Sequence, residues 1–165
     1  MLKWIGAACI LAGGALARQY QVSALRRELD TLSALLAALC RMAEEIRMTR
    51  TPLPRLLSRL GREGTGPAGR FFSAVAEAAL QGENISAVWR RAAGDLPLAE
   101  GPRRAVESLS SGLLGDEESV CKAISLACMD LSRALEDLRA RRPETEKRAT
   151  ALCLSGAALL VILLI

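Results

Sequence analysis

Residues 22–46 read VSALRRELDTLSALLAALCRMAEEI, and this stretch decides the fold. Its apolar side chains recur at alternating steps of three and four residues, a repeat that averages about 3.5 residues. Such a repeat predicts a long helix with one apolar stripe that packs against a helical partner. The predicted stripe consists of Val22, Leu25, Leu29, Leu32, Leu36, Leu39, Ala43 and Ile46.

A second stretch near the C-terminus has the same alternation and is the natural partner. Its stripe is Val120, Ile124, Ala127, Leu131, Ala134 and Leu138. The chain is 51% hydrophobic but only 3% aromatic, a composition rich in Ala and Leu that favours helices over sheets. Glycine and proline clusters divide the segment between the two stripes into short helices. We therefore predict an all-α bundle of about six helices, two of them long and antiparallel.

Both ends of the chain are apolar. Residues 149–165 read ATALCLSGAALLVILLI, carry no charge and follow Lys147 and Arg148. A run of about seventeen apolar residues is at the short limit for a helix that crosses a bilayer. Residues 4–17 form a shorter apolar run between Lys3 and Arg18. We predict two transmembrane segments, at residues 1–17 and 149–165, with the first one continuing directly into the long helix.

Basic residues predict the side of the membrane on which the middle of the chain lies. Arg18, Arg26 and Arg27 follow the first run, and four more bases precede the second. Because basic flanks stay on the cytosolic side, residues 18–148 are predicted to form a cytosolic domain. One alternative stays open: Ala15-Leu16-Ala17 also fits a signal-peptide cleavage site, which would give an exported helical protein.

The residue types present argue against a metal site, a bound cofactor and nucleic-acid binding. The chain has no histidine, and its five cysteines are scattered without a Cys-x-x-Cys motif, so we predict neither a metal site nor a bound cofactor. The net charge of +4 is too small, and aromatic residues too few, to indicate nucleic-acid binding. Ser119 and Lys122 match a Ser-x-x-Lys nucleophile pattern, which leaves a membrane-anchored enzyme using this pair or carboxylates as an alternative.

Four residues are candidates for a partner interface. Thr51 lies just before Pro52 at the end of the first long helix, where it can cap the next one. Asp116 and Glu117 open the last helix, where the helix dipole favours acids. Trp89 has two interpretations, as a core residue or as an interface anchor. The helix that contains Trp89 is predicted to be capped by Ser86.

The order of these features resembles the stage III sporulation protein AB family of endospore-forming bacteria. The features are Met1-Leu2-Lys3 before an apolar run, a Leu-rich helix ending in Glu45-Ile46, Thr51-Pro52-Leu53, the Trp89 segment, the Asp116 helix and the closing LLVILLI. The resemblance runs from end to end of the chain. It implies a domain similar to the cytoplasmic helical domain of the type II secretion inner-membrane platform protein.

The resemblance also implies a function and partners. It suggests a non-enzymatic scaffold in the channel complex that joins the mother cell to the forespore. The expected location is the mother-cell side of the forespore outer membrane. Expected partners are other proteins of the same operon, including a cytosolic secretion-type ATPase, together with membrane lipid and a second copy of the chain. The family has no catalytic residues to transfer to this sequence.

Overall fold

The computed structural model describes residues 2–49, 52–113, 115 and 118–140, and side chains within them except those of residues 2–18, 21 and 49. These residues form six helices and no strand, so the predicted all-α class is confirmed for them. The helices are α1 (Leu2–Thr49), α2 (Leu53–Glu63), α3 (Gly66–Leu80), α4 (Ile85–Gly94), α5 (Glu100–Gly112) and α6 (118–140).

The chain divides into two compact units. Residues Glu28–Glu136 form one unit, which contains the helical bundle and most of its core. The other unit is assigned Met1–Arg27 and Asp137–Ile165. The boundaries predicted at 1–17, 18–148 and 149–165 stay predictions.

None of the helices in the described ranges is both long enough and apolar enough to cross a membrane. The span predicted at residues 1–17 therefore gains no support here. The span predicted at residues 149–165 and the kink predicted at Pro143 lie outside the described residues. The predicted continuity of the first apolar run with the long helix is confirmed, because α1 runs without a break from Leu2 to Thr49.

The buried stripe of α1 differs in part from the prediction. Leu32, Leu39 and Ile46 are buried as predicted. Leu35 and Met42 are fully buried, however, whereas the predicted Leu36 and Ala43 are only half-buried. The apolar stripe is thus wider than a coiled-coil seam, as expected for a helix that meets several neighbours in a globular bundle.

The stripe of α6 agrees with the prediction more closely. Val120, Ile124, Ala127 and Leu131 are buried. Towards the C-terminal end the burial moves to Leu135, while the predicted Ala134 and Leu138 are half-buried. The inward face of α6 therefore also widens beyond a strict 3.5-residue seam.

Two contacts establish that α1 and α6 are antiparallel. The Sγ atom of Cys40 on α1 lies 3.7 Å from the Sγ atom of Cys128 on α6. Further along α1, Ile46 lines the same groove as Cys121 of α6. Moving six residues forward on α1 thus corresponds to moving seven residues back on α6, which confirms the predicted orientation of the two long helices.

Helices α2 and α3 approach closely through glycine. A Cβ atom placed on Gly69 would lie 2.2 Å from the carbonyl oxygen of Gly64, and one on Gly61 would lie 2.8 Å from the backbone nitrogen of Ser73. No side chain fits at such distances. These glycines therefore set the separation of the two helices. Ion pairs of Arg41 with Glu63 and of Glu45 with Arg59 link α1 to α2.

The start of α4 corrects one predicted cap. The N-cap is Asn84, whose side-chain oxygen accepts a hydrogen bond from the amide of Ala87 at 3.2 Å. The predicted cap, Ser86, instead donates its hydroxyl to the backbone carbonyl of Ser110 on α5 at 2.8 Å. A serine inside the first turn is too late in the helix to cap it, and its hydroxyl connects two helices instead.

Candidate interaction surface

An open groove lies where α1 ends and α6 begins. Its volume is about 710 Å³. It is lined by Ile46, Arg47, Glu118, Cys121, Lys122 and Ser125. Along the axis of α1, Ile46 at the groove lies about 27 Å from Glu28, the first residue of the bundle unit. The antiparallel arrangement of α1 and α6 is what brings these distant segments together.

The groove has an apolar floor and a charged rim. Ile46 and Cys121 are buried and form the floor, while Arg47, Glu118 and Lys122 are exposed. Within the described residues no ion pair or hydrogen bond of the Arg47, Glu118 or Lys122 side chain is found. Among the described lining residues, two bases and one acid give the rim a net positive charge. An apolar floor with unpaired bases above it suits an acidic, partly apolar surface of another protein.

Arg47 and Lys122 each lie where a positive charge stabilises their own helix. Arg47 lies in the last turn of α1, where a cation interacts favourably with the negative end of the helix dipole. Lys122 lies one turn after Glu118 on α6, the order of charges that favours a helix. Both bases therefore suit their local helix and remain free to bind a partner.

Three of the four predicted interface residues lie outside the described residues, namely Thr51, Asp116 and Glu117. The helix ends that they adjoin in the sequence, the end of α1 and the start of α6, both line the groove. Thr51 follows α1 by two residues, and Asp116 and Glu117 immediately precede the described start of α6. The assignment of Thr51, Asp116 and Glu117 to a partner interface stays a prediction. Arg47 and Lys122 were not among the predicted residues, and the sequence signal for them was a base close to a helix end.

Trp89 is a core residue in this structure. Its side chain is 0% exposed, and its ring lies edge-on to Phe71, with ring centroids 4.7 Å apart. Its indole nitrogen donates a hydrogen bond to the backbone carbonyl of Val106 at 2.7 Å. The interpretation as an interface anchor is corrected, because a fully buried ring has no surface to offer a partner.

The position of Trp89 explains how α4 and α5 are held together. The indole bond to Val106 and the Ser86 bond to Ser110 are successive cross-links between the two helices. Both acceptors are backbone carbonyls, so each bond fixes the helix as a whole and not one flexible side chain. The aromatic contacts with Phe71 and Phe72 attach this pair of helices to α3.

Ser119 and Lys122 do not form a catalytic pair in the described part of the chain. Both side chains are exposed on α6, and no hydrogen bond joins them. An activated serine needs a base within hydrogen-bond reach, and a lysine base is usually desolvated to stay neutral. Among the described residues there is also no group of three histidine, cysteine or acidic side chains able to hold a metal ion.

The sequence profile of the stage III sporulation protein AB family matches residues 3–165. The chain belongs to this family. A solved structure described as stage III sporulation protein AB is similar to it, with a TM-score of 0.65, 21% sequence identity, and coverage of 72% of this chain and 98% of that one. At this identity the likeness shows a shared fold. No curated protein sequence matches this chain. Membership in the stage III sporulation protein AB family assigns the chain to sporulation.

Proposed function

We propose that this protein is a non-enzymatic membrane scaffold of the channel complex between mother cell and forespore that endospore formation requires. In this proposal, segments 1–17 and 149–165 anchor the chain at the mother-cell side of the forespore outer membrane. Residues 18–148 then present a helical bundle to the cytosol. Membership in the stage III sporulation protein AB family supports the proposal, and so does the exposed, unpaired state of Ser119 and Lys122.

The observation that carries the proposal is the groove at the joined ends of α1 and α6. It lies at the ends of these helices that are furthest along the chain from both predicted membrane segments, where a cytosolic protein has access. We assign it to the cytosolic secretion-type ATPase of the same operon, with acidic side chains of that protein binding Arg47 and Lys122. Other proteins of the operon, membrane lipid and a second copy of the chain are further expected partners.

Charge reversal tests this assignment. Full-length protein carrying Arg47→Glu and Lys122→Glu is expressed with an affinity tag in sporulating cells, and the ATPase that co-purifies is quantified. We expect recovery to fall at least about tenfold, because two attractive contacts become repulsive. The matched control is Arg90→Glu with Arg91→Glu, two exposed bases on α4 that also include one last-turn arginine.

The control should recover as much ATPase as the wild-type protein. Equal recovery by both double variants would overturn the assignment of the groove. Absence of every operon protein from the wild-type pull-down would overturn the scaffold function itself.

Topology is tested separately with a reporter cysteine. Thr65 is exposed in the connection between α2 and α3, and its side chain makes no capping hydrogen bond. In a background with all five native cysteines replaced by alanine, Thr65→Cys should react with a membrane-impermeant maleimide only from the cytosolic side. Labelling from the opposite side, or a mature chain that begins at Arg18, would favour the exported form.

A further inference from the structure

Two thiols from opposite ends of the bundle sequence are in contact. Cys40 on α1 and Cys128 on α6 are 88 residues apart in the chain, and their Sγ atoms are 3.7 Å apart. The Cys40 thiol donates a weak hydrogen bond to the sulfur of Cys128. Both cysteines are free, and Cys40 is exposed to solvent while Cys128 is half-buried.

We propose that Cys40 and Cys128 form a redox-sensitive latch that locks α1 to α6 through a reversible disulfide. The sulfur atoms must approach by only about 1.7 Å to reach the length of a disulfide bond. Cys40 is exposed, so its side chain has room to turn towards its partner. The two helices already lie side by side in antiparallel order, so the bond would join residues that are neighbours in the fold.

The oxidant is a peroxide, and Cys40 is the sulfur that it reaches. The Cys40 thiolate attacks one oxygen of hydrogen peroxide, which breaks the O–O bond, forms a sulfenic acid and releases hydroxide. The Cys128 sulfur, after loss of its proton, then attacks the Cys40 sulfur. The S–O bond breaks and the oxygen leaves as water. In total two thiols and one peroxide give one disulfide and two waters.

The environment of Cys128 disfavours its thiolate. Burial, with a smaller contribution from the neighbouring Cys40, raises the pKa of the Cys128 thiol to about 12. Cys128 therefore stays protonated while Cys40 is reduced. Cys128 must lose this proton before its sulfur can attack the oxidised Cys40, so its attack is the slower of the two steps. The order of events is therefore oxidation of the exposed Cys40 first and attack by Cys128 second.

The latch joins the two helices that organise the bundle. A disulfide across 88 residues restricts the unfolded chain strongly, because the closed loop is long. It also prevents α1 and α6 from sliding along each other, and the groove formed by their ends is held at a fixed width. Cys121, a third described thiol, is buried on the same helix two turns from Cys128. It therefore serves as the second thiol of the control variant.

The test uses full-length protein in which Cys9, Cys121 and Cys153 are alanine, so that only the proposed pair remains. After treatment with hydrogen peroxide we expect a monomer that is lighter by about 2 Da, the loss of two hydrogens. Its unfolding temperature should rise by about 10 °C, and dithiothreitol should reverse both changes. In the control, Cys9, Cys128 and Cys153 are alanine while Cys40 and Cys121 remain. This variant should form no intramolecular disulfide.

A second measurement does not depend on an oxidant. Phenylarsine oxide bridges two thiols that lie within reach of one another, and it should add to the Cys40 and Cys128 protein but not to the control. A cross-link between two chains, oxidation of Cys40 to sulfinic acid without a bond, or a disulfide that leaves the unfolding temperature unchanged would each overturn the proposal.

Discussion

Glu28 on α1 accepts a hydrogen bond from the backbone amide of Ala99 at 2.7 Å, across 71 residues of sequence. Ala99 is the N-cap of α5 and has no side chain that can cap the helix. In a capping box the residue at the third helical position bonds the N-cap amide, but in α5 this position is Pro102. A carboxylate from another helix therefore supplies the missing cap and, with it, a favourable charge at the N-terminus of α5.

We expect Glu28→Ala to lower the free energy of unfolding by about 1 kcal/mol, the usual cost of a lost helix cap. Urea unfolding of the full-length protein, followed by circular dichroism, measures the change. Asp30→Ala is the control, since Asp30 is exposed two residues later on the same helix and its side chain forms none of the described hydrogen bonds. Equal losses in the two variants would contradict the capping role.

Trp89→Phe should destabilise the protein by about 2 kcal/mol, because it removes the indole bond to Val106 and leaves a small cavity. Trp89→Ala should cost about 3–5 kcal/mol, since it removes the whole buried ring. Both are measured by urea unfolding. The exposed neighbour Arg90 provides the control, and Arg90→Ala should change the free energy of unfolding by less than about 0.5 kcal/mol. Wild-type stability of Trp89→Phe would show that the hydrogen bond contributes nothing.

Gly69→Ala should cost about 2 kcal/mol or more, because its Cβ would overlap the backbone of Gly64 and force α2 and α3 apart. Gly101→Ala should instead stabilise the protein. A Cβ at Gly101 meets no atom within 4 Å, and alanine in a helix is more favourable than glycine by about 0.5–1 kcal/mol. Thermal unfolding of the two variants tests both signs, and a stabilising effect at position 69 would be incompatible with the close helix approach.

Alkylation of Cys128 should be slow at neutral pH. Its pKa is raised to about 12, chiefly by burial. Only about one molecule in 10⁴ would then carry the reactive thiolate at pH 8. Cys40→Ala removes the neighbouring thiol that contributes to the shift, so alkylation of Cys128 by iodoacetamide should become faster. Peptide mass spectrometry over a range of pH measures the rate at this residue, and an unchanged rate in the variant would contradict the coupling of the two thiols.

The sequence predicts the helices of this fold more reliably than it predicts which side of each helix is buried. In α1, Leu35 and Leu36 are adjacent, as are Met42 and Ala43, and either set completes a 3.5-residue repeat with Leu32, Leu39 and Ile46. The three-dimensional neighbours decide in favour of Leu35 and Met42, which a one-dimensional pattern cannot reveal. Tertiary contact likewise decides which of two polar residues caps α4. Ser86 donates to an acceptor on α5, and Asn84 caps the helix.

The candidate surface was predictable only in part. The ends of α1 and α6 are recognisable in the sequence, and the residues beside them were identified as interface candidates. Arg47 and Lys122 are 75 positions apart, however, and nothing local relates them. Their meeting depends on how far α1 and α6 overlap, which contacts such as Cys40 with Cys128 define. Trp89 shows the reverse case, since its residue type suits an interface and only burial assigns it to the core.

The close approach of Gly64 and Gly69 leaves room for hydrogen alone on either residue. In a relative that keeps the same short connection between these helices, a larger residue at one position would require a wider helix separation or a shifted backbone. These two sites should therefore change together during evolution, or not at all. Paired glycines five residues apart before an aromatic pair would then be a marker for recognising this helical hairpin in distant members of the family.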